Sequence, residues 1–379
     1  MPIKTTIFNH LKNIPGWRTN RKILVFSVDD YGNVRLDSKI ARDNLTKAGL
    51  QNKSYFDQYD SLESSFDLEA LYDVLTSVKD KNNSHAVFTP YSVPCNLDFE
   101  SIVENDFSKI EIETLPKTYK KLESRYPSSY TGTWDLWQQG ISEKILLPQF
   151  HGREHFNFKT IDNRLKISDK EIILSIRNRS LTGLNLQPNE LQFSVTFAYK
   201  DFSDNKFLES VITDGLNKFE EVFGYRATCF MPPSATISSY HHKLLSICGI
   251  KSMDTYVYKR HSYSDNLEKK EFRWLGKQVE KLDMSFIVRN AVFEPAQESN
   301  ALEKCKSMID AAFRMNKPAI VSSHRINFVG FIDESIRKNS LTELKSLLMW
   351  IVKKFPDVEF MGMDSLQNII RRTNGISNL

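Results

Sequence analysis

"KILVFSVDDYGN" (residues 22–33) ends an apolar run with two adjacent carboxylates and a glycine. The apolar residues predict a buried strand, and Asp29 and Asp30 stand where that strand should end. Adjacent carboxylates in such a place repel each other and lose hydration, so they need a compensating partner. Gly32 suits a positive φ angle, so the pair also fits an ordinary turn. In a parallel barrel, however, the carboxyl ends of the strands carry the active site.

Short β-rich runs recur along the chain, and helical stretches separate several of them. This alternation indicates parallel β/α units rather than a sandwich. Because seven or eight such units make a barrel, we predict an α/β barrel of parallel strands. The predicted strands are 22–28, 85–91, 191–197, 226–232, 249–255, 284–290, 318–324 and 358–363, and the predicted helices include 66–79, 169–177, 205–222, 299–315 and 340–354.

Residues 95–148 fit the alternation poorly, and we interpret them as an insertion of helices and loops on the loop face of the barrel. The insertion is polar but carries five large aromatic residues. These residues either pack the insertion onto the barrel or stack against a sugar. They are Tyr119, Tyr126, Tyr130, Trp134 and Trp137.

The composition is that of an ordinary globular protein, with 40% apolar and 26% charged residues in 379. The 51 basic and 47 acidic residues leave a net charge of +4, which does not indicate nucleic acid or a membrane surface as a partner. The four cysteines lack CxxC spacing, which favours a reducing compartment. No stretch resembles a signal-peptide core or approaches about 18 consecutive apolar residues. We therefore predict a cytoplasmic protein without a membrane span.

A histidine pair lies in "LPQFHGREHFN" (147–157). His151 and His155 are four residues apart, so one helical turn or a tight loop brings both rings to one point. With a carboxylate they make a three-ligand site for zinc, cobalt, nickel or iron(II), with open positions for water. The alternative is two surface histidines. The segment also fits the H-x-x-E-H metallopeptidase motif with Glu154 as base, but a proline and a glycine disfavour the continuous helix that this motif needs.

A further apolar run, "PAIVSSH", ends at His324, which by itself also fits a core histidine. Together the strand-end residues fit one mechanism. Asp30, His151 and His155 hold a divalent metal, which lowers the pKa of a bound water toward about 7 and offsets the carboxylate repulsion. Asp29 takes the proton of the attacking water, and His324 protonates the leaving amine or alcohol.

These elements resemble the polysaccharide deacetylase superfamily, which includes carbohydrate esterase family 4 and the chitooligosaccharide deacetylases. "DDYG", "HGREH" and "IVSSH" match its first, second and last motifs, and "MPPSA" (231–235) is similar to its third. The motifs follow the family order over about residues 20–366. The resemblance implies a distorted (β/α)7 TIM-like barrel in a single domain over residues 1–379, with the insertion at about 95–148.

The resemblance also implies a role for each strand-end residue. Asp29 and His324 match the catalytic base and acid, and Asp30, His151 and His155 match the metal ligands. The implied cofactor is one divalent ion, zinc first, with cobalt, nickel, manganese or magnesium as alternatives. The implied partner is an acetylated sugar or glycoconjugate.

Two motifs depart from the family pattern. Met231 stands where the third motif has the arginine that orients the base, and Arg289 and Arg325 are candidates to orient it or to contact the substrate. For either arginine the alternative is an ordinary salt bridge. The fourth motif is not recognisable; Asp254 is the nearest aspartate, and the partner of the acid histidine stays unassigned. Glu294 follows a predicted strand, where it lines the cleft or remains a loop carboxylate in water.

The sequence thus predicts a metal-dependent hydrolase that removes an N- or O-linked acetyl group from a carbohydrate or glycoconjugate. One alternative is a non-catalytic barrel that keeps the metal and binds carbohydrate, which the missing arginine favours. The other is a zinc metallopeptidase that uses the "HGREH" segment.

Overall fold

A computed structural model describes residues 8–50, 54–259 and 271–373. A sheet of nine parallel strands forms the centre of the molecule. Two antiparallel pairs, β3 with β4 and β8 with β9, lie outside this sheet. The strands are β1 Lys22–Tyr31, β2 Phe88–Ser92, β3 Cys95–Leu97, β4 Ile112–Thr114, β5 Gln149–Phe150, β6 Cys229–Phe230, β7 Ser252–Asp254, β8 Tyr258–Lys259, β9 Glu271–Phe272, β10 Ser285–Ile287, β11 Ala291–Val292, β12 Ala319–His324 and β13 Val358–Phe360.

The sheet curls into a barrel. Its hydrogen-bonded order is β10-β7-β6-β5-β2-β1-β12-β11, and β13 pairs with the first residues of β1. The strands at the two ends of this order, β10 and β11, are consecutive on one stretch of chain, which pairs first with β7 and then with β12. The chain itself therefore joins the two ends of the sheet. Counting that stretch once gives seven positions around the barrel, so the predicted distorted (β/α)7 fold is confirmed.

Helices stand between most of the barrel strands, and their apolar faces join the main core. In the part of the chain that the structure describes, no helix has the length and apolar character to cross a membrane. The helices are α1 Lys39–Lys47, α2 Tyr55–Tyr59, α3 Ser65–Thr76, α4 Phe99–Glu104, α5 Leu115–Arg125, α6 Pro127–Tyr130, α7 Thr133–Ser142, α8 Phe158–Lys166, α9 Lys170–Arg177, α10 Asn205–Phe223, α11 His242–Ile247, α12 Ala301–Arg314, α13 Glu334–Lys354 and α14 Met363–Thr373.

The central strand β1 divides its side chains between two cores. Ile23 and Val25 join a small cluster that includes residues of β6, β10 and β12. Side chains alternate along a strand, so Ser27 and Asp29 point the same way, into the barrel. The intervening residues join the larger cluster that includes the helices; they are Leu24, Phe26 and Val28. The first acid of the pair is thus placed in the interior by the regular geometry of β1.

The end of β1 and the turn after it leave this regular geometry. Asp30 has a φ angle of 74° and Gly32 one of 77°, so both adopt the left-handed conformation. Asn96 in β3 holds the turn, because its side chain donates to the Gly32 carbonyl and accepts from the Val34 amide, each at 2.8 Å. The left-handed conformation is unfavourable for an aspartate, and strain of this kind concentrates at functional sites.

A buried arginine, Arg325, also holds this turn in place. Arg325 donates to the Asn33 carbonyl at 2.6 Å and pairs with Asp60 at 2.7 Å. It also lies 3.3 Å from the Glu63 carboxylate, which accepts a hydrogen bond from Tyr119 at 2.7 Å. These charged groups are almost completely buried. Both carboxylates pair with the one Arg325 guanidinium, so its removal would leave two buried acidic groups without a cation.

Residues 95–148 carry β3, β4 and α4–α7. Tyr119, Tyr130 and Trp137 are buried, and the Trp137 indole donates to the Tyr119 hydroxyl at 2.9 Å. The packing interpretation is therefore confirmed for these three aromatic residues. The division of the chain into one domain with an insertion stays a prediction.

One predicted strand is wrong, and the strand that takes its place in the barrel was not predicted. Residues 191–197 form no strand, and β5 occupies the place between β2 and β6. Val195 and Phe197 are buried without a strand, whereas Leu191 and Phe193 are only partly buried. Phe197 packs edge-on against Phe230 at 5.7 Å, and Asn157 donates to the Val195 carbonyl. The apolar alternation of this segment thus indicated burial, but it did not indicate that the segment pairs with no strand.

Replacing Arg325 by methionine should lower the free energy of unfolding by about 3–5 kcal/mol, because it leaves the buried Asp60 and Glu63 carboxylates without their cation. Urea unfolding measures this loss. The control is Arg226→Met, which removes a surface pair with Glu220 and should cost at most about 1 kcal/mol. Equal small losses for both variants would contradict the role given to the Arg325 pairs.

Candidate metal centre and active site

Three side chains of metal-ligand type meet at the carboxyl end of the barrel strands. The Asp30 Oδ1 lies 3.0 Å from the His155 Nε2 and 3.3 Å from the His151 Nε2. The ligand atoms all lie within 4.8 Å of one another. His151 directly follows β5, and His155 lies in the loop after it. The structure therefore brings together the three residues that the sequence singles out as metal ligands.

The hydrogen bonds of His151 indicate that a cation belongs between these residues. Its Nδ1 lies 2.6 Å from the Met231 carbonyl oxygen, which can only accept, so Nδ1 carries the proton. In the neutral ring the Nε2 lone pair then faces the Asp30 carboxylate, an arrangement of two acceptors. A divalent metal resolves it, and a histidine oriented by a backbone carbonyl is typical of metal sites. The three residues thus fit a metal ion.

The charge state of Asp30 agrees with this fit. Burial alone would raise the pKa of its carboxyl group. When the two imidazole rings are protonated, the charge of His155 and hydrogen bonds from both histidines instead hold that pKa well below its usual range. Asp30 is therefore ionised at neutral pH, as a carboxylate ligand must be.

The neighbouring acid, Asp29, has a different partner. Arg289 donates two hydrogen bonds to it, from Nη1 to Oδ2 at 2.6 Å and from Nη2 to Oδ1 at 2.7 Å. The Arg289 Nε donates to Asp254 at 2.7 Å, so the guanidinium lies between two carboxylates. Such a bidentate pair fixes orientation as well as charge. Of the two arginines considered for the missing third-motif arginine, Arg289 is the one that contacts Asp29.

His324 ends the strand next to β1, in register with Asp29. Its Nδ1 lies 2.7 Å from the Glu294 carboxylate, which also accepts from the Asn327 amide at 2.7 Å. Its Nε2 faces Asp29 at 4.0 Å. Burial would lower the pKa of His324, but the hydrogen bond and charge of Glu294, together with the charges of Asp30 and Asp29, raise it to about 10. His324 is therefore protonated at neutral pH.

Two residues named from the sequence lie elsewhere. The Arg325 side chain is fully buried against Asp60 and Glu63, so it has no surface for a substrate, and the structure corrects that expectation. Glu154 is also buried, and its carboxylate accepts from the Arg153 Nε at 2.5 Å. The "HGREH" segment forms a loop rather than a helix. This geometry argues against the metallopeptidase motif.

The sequence indicated Arg289 as one of two candidates to orient the base, but two other orienting contacts were not predicted. Glu294 was a candidate to line the cleft, but it is the partner of His324. Met231 seemed to mark a loss, yet its carbonyl orients His151. The available signal was position: Arg289 interrupts an otherwise apolar run, and Glu294 follows the next strand. A charged residue inside a buried strand requires a partner there.

No protein-family model matches the sequence, and no curated protein is similar enough in sequence to match it. Solved structures do match. A protein described as a polysaccharide deacetylase, from Mycobacterium smegmatis, has a TM-score of 0.50 at 12% identity, over 95% of this chain and 94% of that one. A protein described as a glycoside hydrolase/deacetylase, from Parabacteroides distasonis, has a TM-score of 0.51 at 8% identity, over 94% and 73%. This likeness shows the fold.

The ligand set predicts the effect of substitutions on metal content. After incubation with zinc and removal of free ions, the protein should retain one zinc ion per chain, measured by atomic emission. Asp30→Ala and His151→Ala should each reduce this to near zero, because each removes one of three ligands. The control is His85→Ala, because the two ring nitrogens of this loop histidine bond the backbone carbonyls of Ala86 and Glu143. Zinc retained by all three variants would rule out this centre.

Proposed function

We propose that this protein is a metal-dependent hydrolase that removes an acetyl or similar acyl group from a carbohydrate or glycoconjugate. One observation carries the proposal: a carboxylate and a histidine, Asp29 and His324, flank the three metal-ligand residues. Arg289 orients Asp29, and Glu294 orients His324. Neither of these two partners is needed to bind a metal ion. A site for metal storage or structural support has no use for an oriented base and an oriented acid.

In this mechanism Asp30, His151 and His155 hold the ion. When bound, the ion activates water and polarises the acyl carbonyl. Asp29 accepts the proton of the attacking water. Both of its oxygens already accept from Arg289, but each carboxylate oxygen has a further lone pair for that proton. Arg289 keeps the carboxylate turned toward the site, and positioning of this kind is a large part of general base catalysis.

His324 supplies the second proton transfer. Its Nδ1 proton is donated to Glu294, so Nε2 is the atom that faces the pocket. Protonated His324 donates from Nε2 to the leaving amine or alcohol, and Glu294 stabilises the imidazolium beforehand. Because Asp29 and His324 end adjacent strands, they approach the reacting group from neighbouring positions on the rim.

The alternatives have less support. The non-catalytic carbohydrate-binding barrel was favoured by the loss of the third-motif arginine, and the contact of Arg289 with Asp29 removes that argument. The zinc metallopeptidase needs Glu154 as base, but this carboxylate is buried and paired with Arg153.

The test is acetate release from a panel of N-acetylated and O-acetylated sugars. We expect release by the metal-loaded protein, its loss with a chelator, and its recovery when zinc, cobalt, nickel, manganese or magnesium is restored. The ion that restores most activity identifies the working metal. No release from any sugar with any ion would contradict the proposed function.

Substituting the base and the acid should separate catalysis from metal binding. Asp29→Asn and His324→Ala should each lower kcat by about 10²–10⁴-fold, the usual contribution of a general acid or base, while zinc content stays at the wild-type level. Glu154→Gln is the control, since a deacetylase should tolerate it and a peptidase should not. A larger loss for Glu154→Gln than for Asp29→Asn would favour the peptidase.

The pH profile should report the pair of His324 and Glu294. His324 donates only when protonated, so the rate falls as the pH rises through its pKa. Because Glu294 raises that pKa, Glu294→Gln should move the alkaline limb of kcat to lower pH and leave the acid limb in place. Steady-state rates of the zinc-loaded proteins measure this. An alkaline limb that does not move would show that another group limits the rate at high pH.

A further inference from the structure

A cavity of about 330 Å³ opens beside the metal-ligand residues, with His155 in its wall. Its size lies at the small end of the range of about 300–1,000 Å³ for ligand pockets. Part of the lining is polar and part is apolar. The polar side chains include Asn33, Arg35, Ser54, Asp57, Thr182 and Gln192, and the apolar ones include Val34, Leu184, Leu186 and Phe193.

The wall of this cavity formed by residues 181–194 is tied to the opposite wall. The Leu181 amide donates to the Arg35 carbonyl at 2.8 Å. The Thr182 hydroxyl donates to the Asp57 carboxylate at 2.7 Å. These bonds join residues 181 and 182 directly to Arg35 and Asp57. A long glycan cannot pass between walls that are joined in this way, so this part of the cavity suits a compact ligand.

Arg35 and Asp57 form an ion pair at 2.9 Å, and both side chains are only partly exposed. The Arg35 Nε is buried and has no acceptor among the residues that the structure describes. The guanidinium also lies over the Phe56 ring at 5.3 Å, and that ring meets His324 edge-on at 5.2 Å. The pair is thus fixed in position and connected by contact to the proposed acid.

The charges decide which ligand this pair suits. Because Asp57 already balances Arg35, an anionic group would meet no net positive charge there. A neutral hydroxyl can instead donate to Asp57 and accept from Arg35, the two functions that lie side by side. The apolar wall around Leu184 and Phe193 suits the less polar face of a ring. Hydroxyls on the edge and a less polar face are the features of a neutral sugar ring.

We propose that this cavity binds one neutral, hydroxylated ring of the substrate beside the metal-ligand residues, with Arg35 and Asp57 as the residues that select it. This inference rests on the proposed function, and it adds that a single sugar unit is sufficient for recognition. Asp57 and Arg35 bind hydroxyls remote from the acyl group and take no part in proton transfer.

The experiment measures binding in zinc-loaded Asp29→Asn protein, in which turnover should be about 10²–10⁴-fold slower than in the wild type. The probes are N-acetylglucosamine, its hexamer, and N-acetylmuramic acid as the anionic relative, followed by ligand-observed NMR and calorimetry. Arg35→Met and Asp57→Asn in this background should each weaken monosaccharide binding by about 10- to 150-fold, the loss expected for hydrogen bonds to charged groups. Arg226→Met should leave it unchanged, and thermal melts of each variant check its folding.

The outcomes separate this inference from the proposed function. We expect the hexamer to bind less than about tenfold more tightly than the monosaccharide, and the anionic sugar no more tightly. A much tighter hexamer, a preferred anion, unchanged binding in both Arg35→Met and Asp57→Asn, or no binding of any sugar would overturn the inference. Binding that depends on Arg35, with no acetate released by the wild-type protein from any acetylated sugar, would instead count against the hydrolase function alone.

Discussion

The ionic interactions of Asp29 and Asp30 are the constraint on which the rest of the site depends. Two adjacent carboxylates, both buried, must each find a positive charge in a different direction. Regular strand geometry turns Asp29 into the barrel toward Arg289, and the left-handed backbone of Asp30 turns the second carboxylate toward the histidines. The turn that follows is therefore held by Asn96 and by Arg325.

The same need for paired charge explains how the barrel supplies the catalytic groups. Asp254 on β7, Arg289 between β10 and β11, and Asp29 on β1 form one line of alternating charges across the mouth of the barrel. Glu294, just after β11, pairs with His324 and orients its ring. Each catalytic candidate thus has a partner next to the end of another strand, and the sheet fixes the relative positions of the two.

Much of this arrangement was predictable from the sequence, and the reason is position. Asp30, His151, His155 and His324 follow or end apolar runs, and parallel strands bring their carboxyl ends to one rim. The partners were harder to predict because a hydrogen bond between distant strands leaves no pattern in sequence. Arg289 has a role expected near Met231, and Arg325, beside His324 in the chain, points into the core instead. The strand predicted at 191–197 is wrong for a related reason. An apolar run indicates that a segment is buried, but it does not indicate which strand, if any, the segment pairs with.

The most direct test of the account is a crystal structure of the zinc-loaded protein with anomalous data at the zinc edge. We expect one strong anomalous peak within about 2.0–2.2 Å of an Asp30 oxygen and of a nitrogen from each of His151 and His155. Asp29 should remain on Arg289 and not coordinate the ion. A peak at another place, or zinc held by Asp29 in place of Asp30, would contradict the division of roles between the two acids.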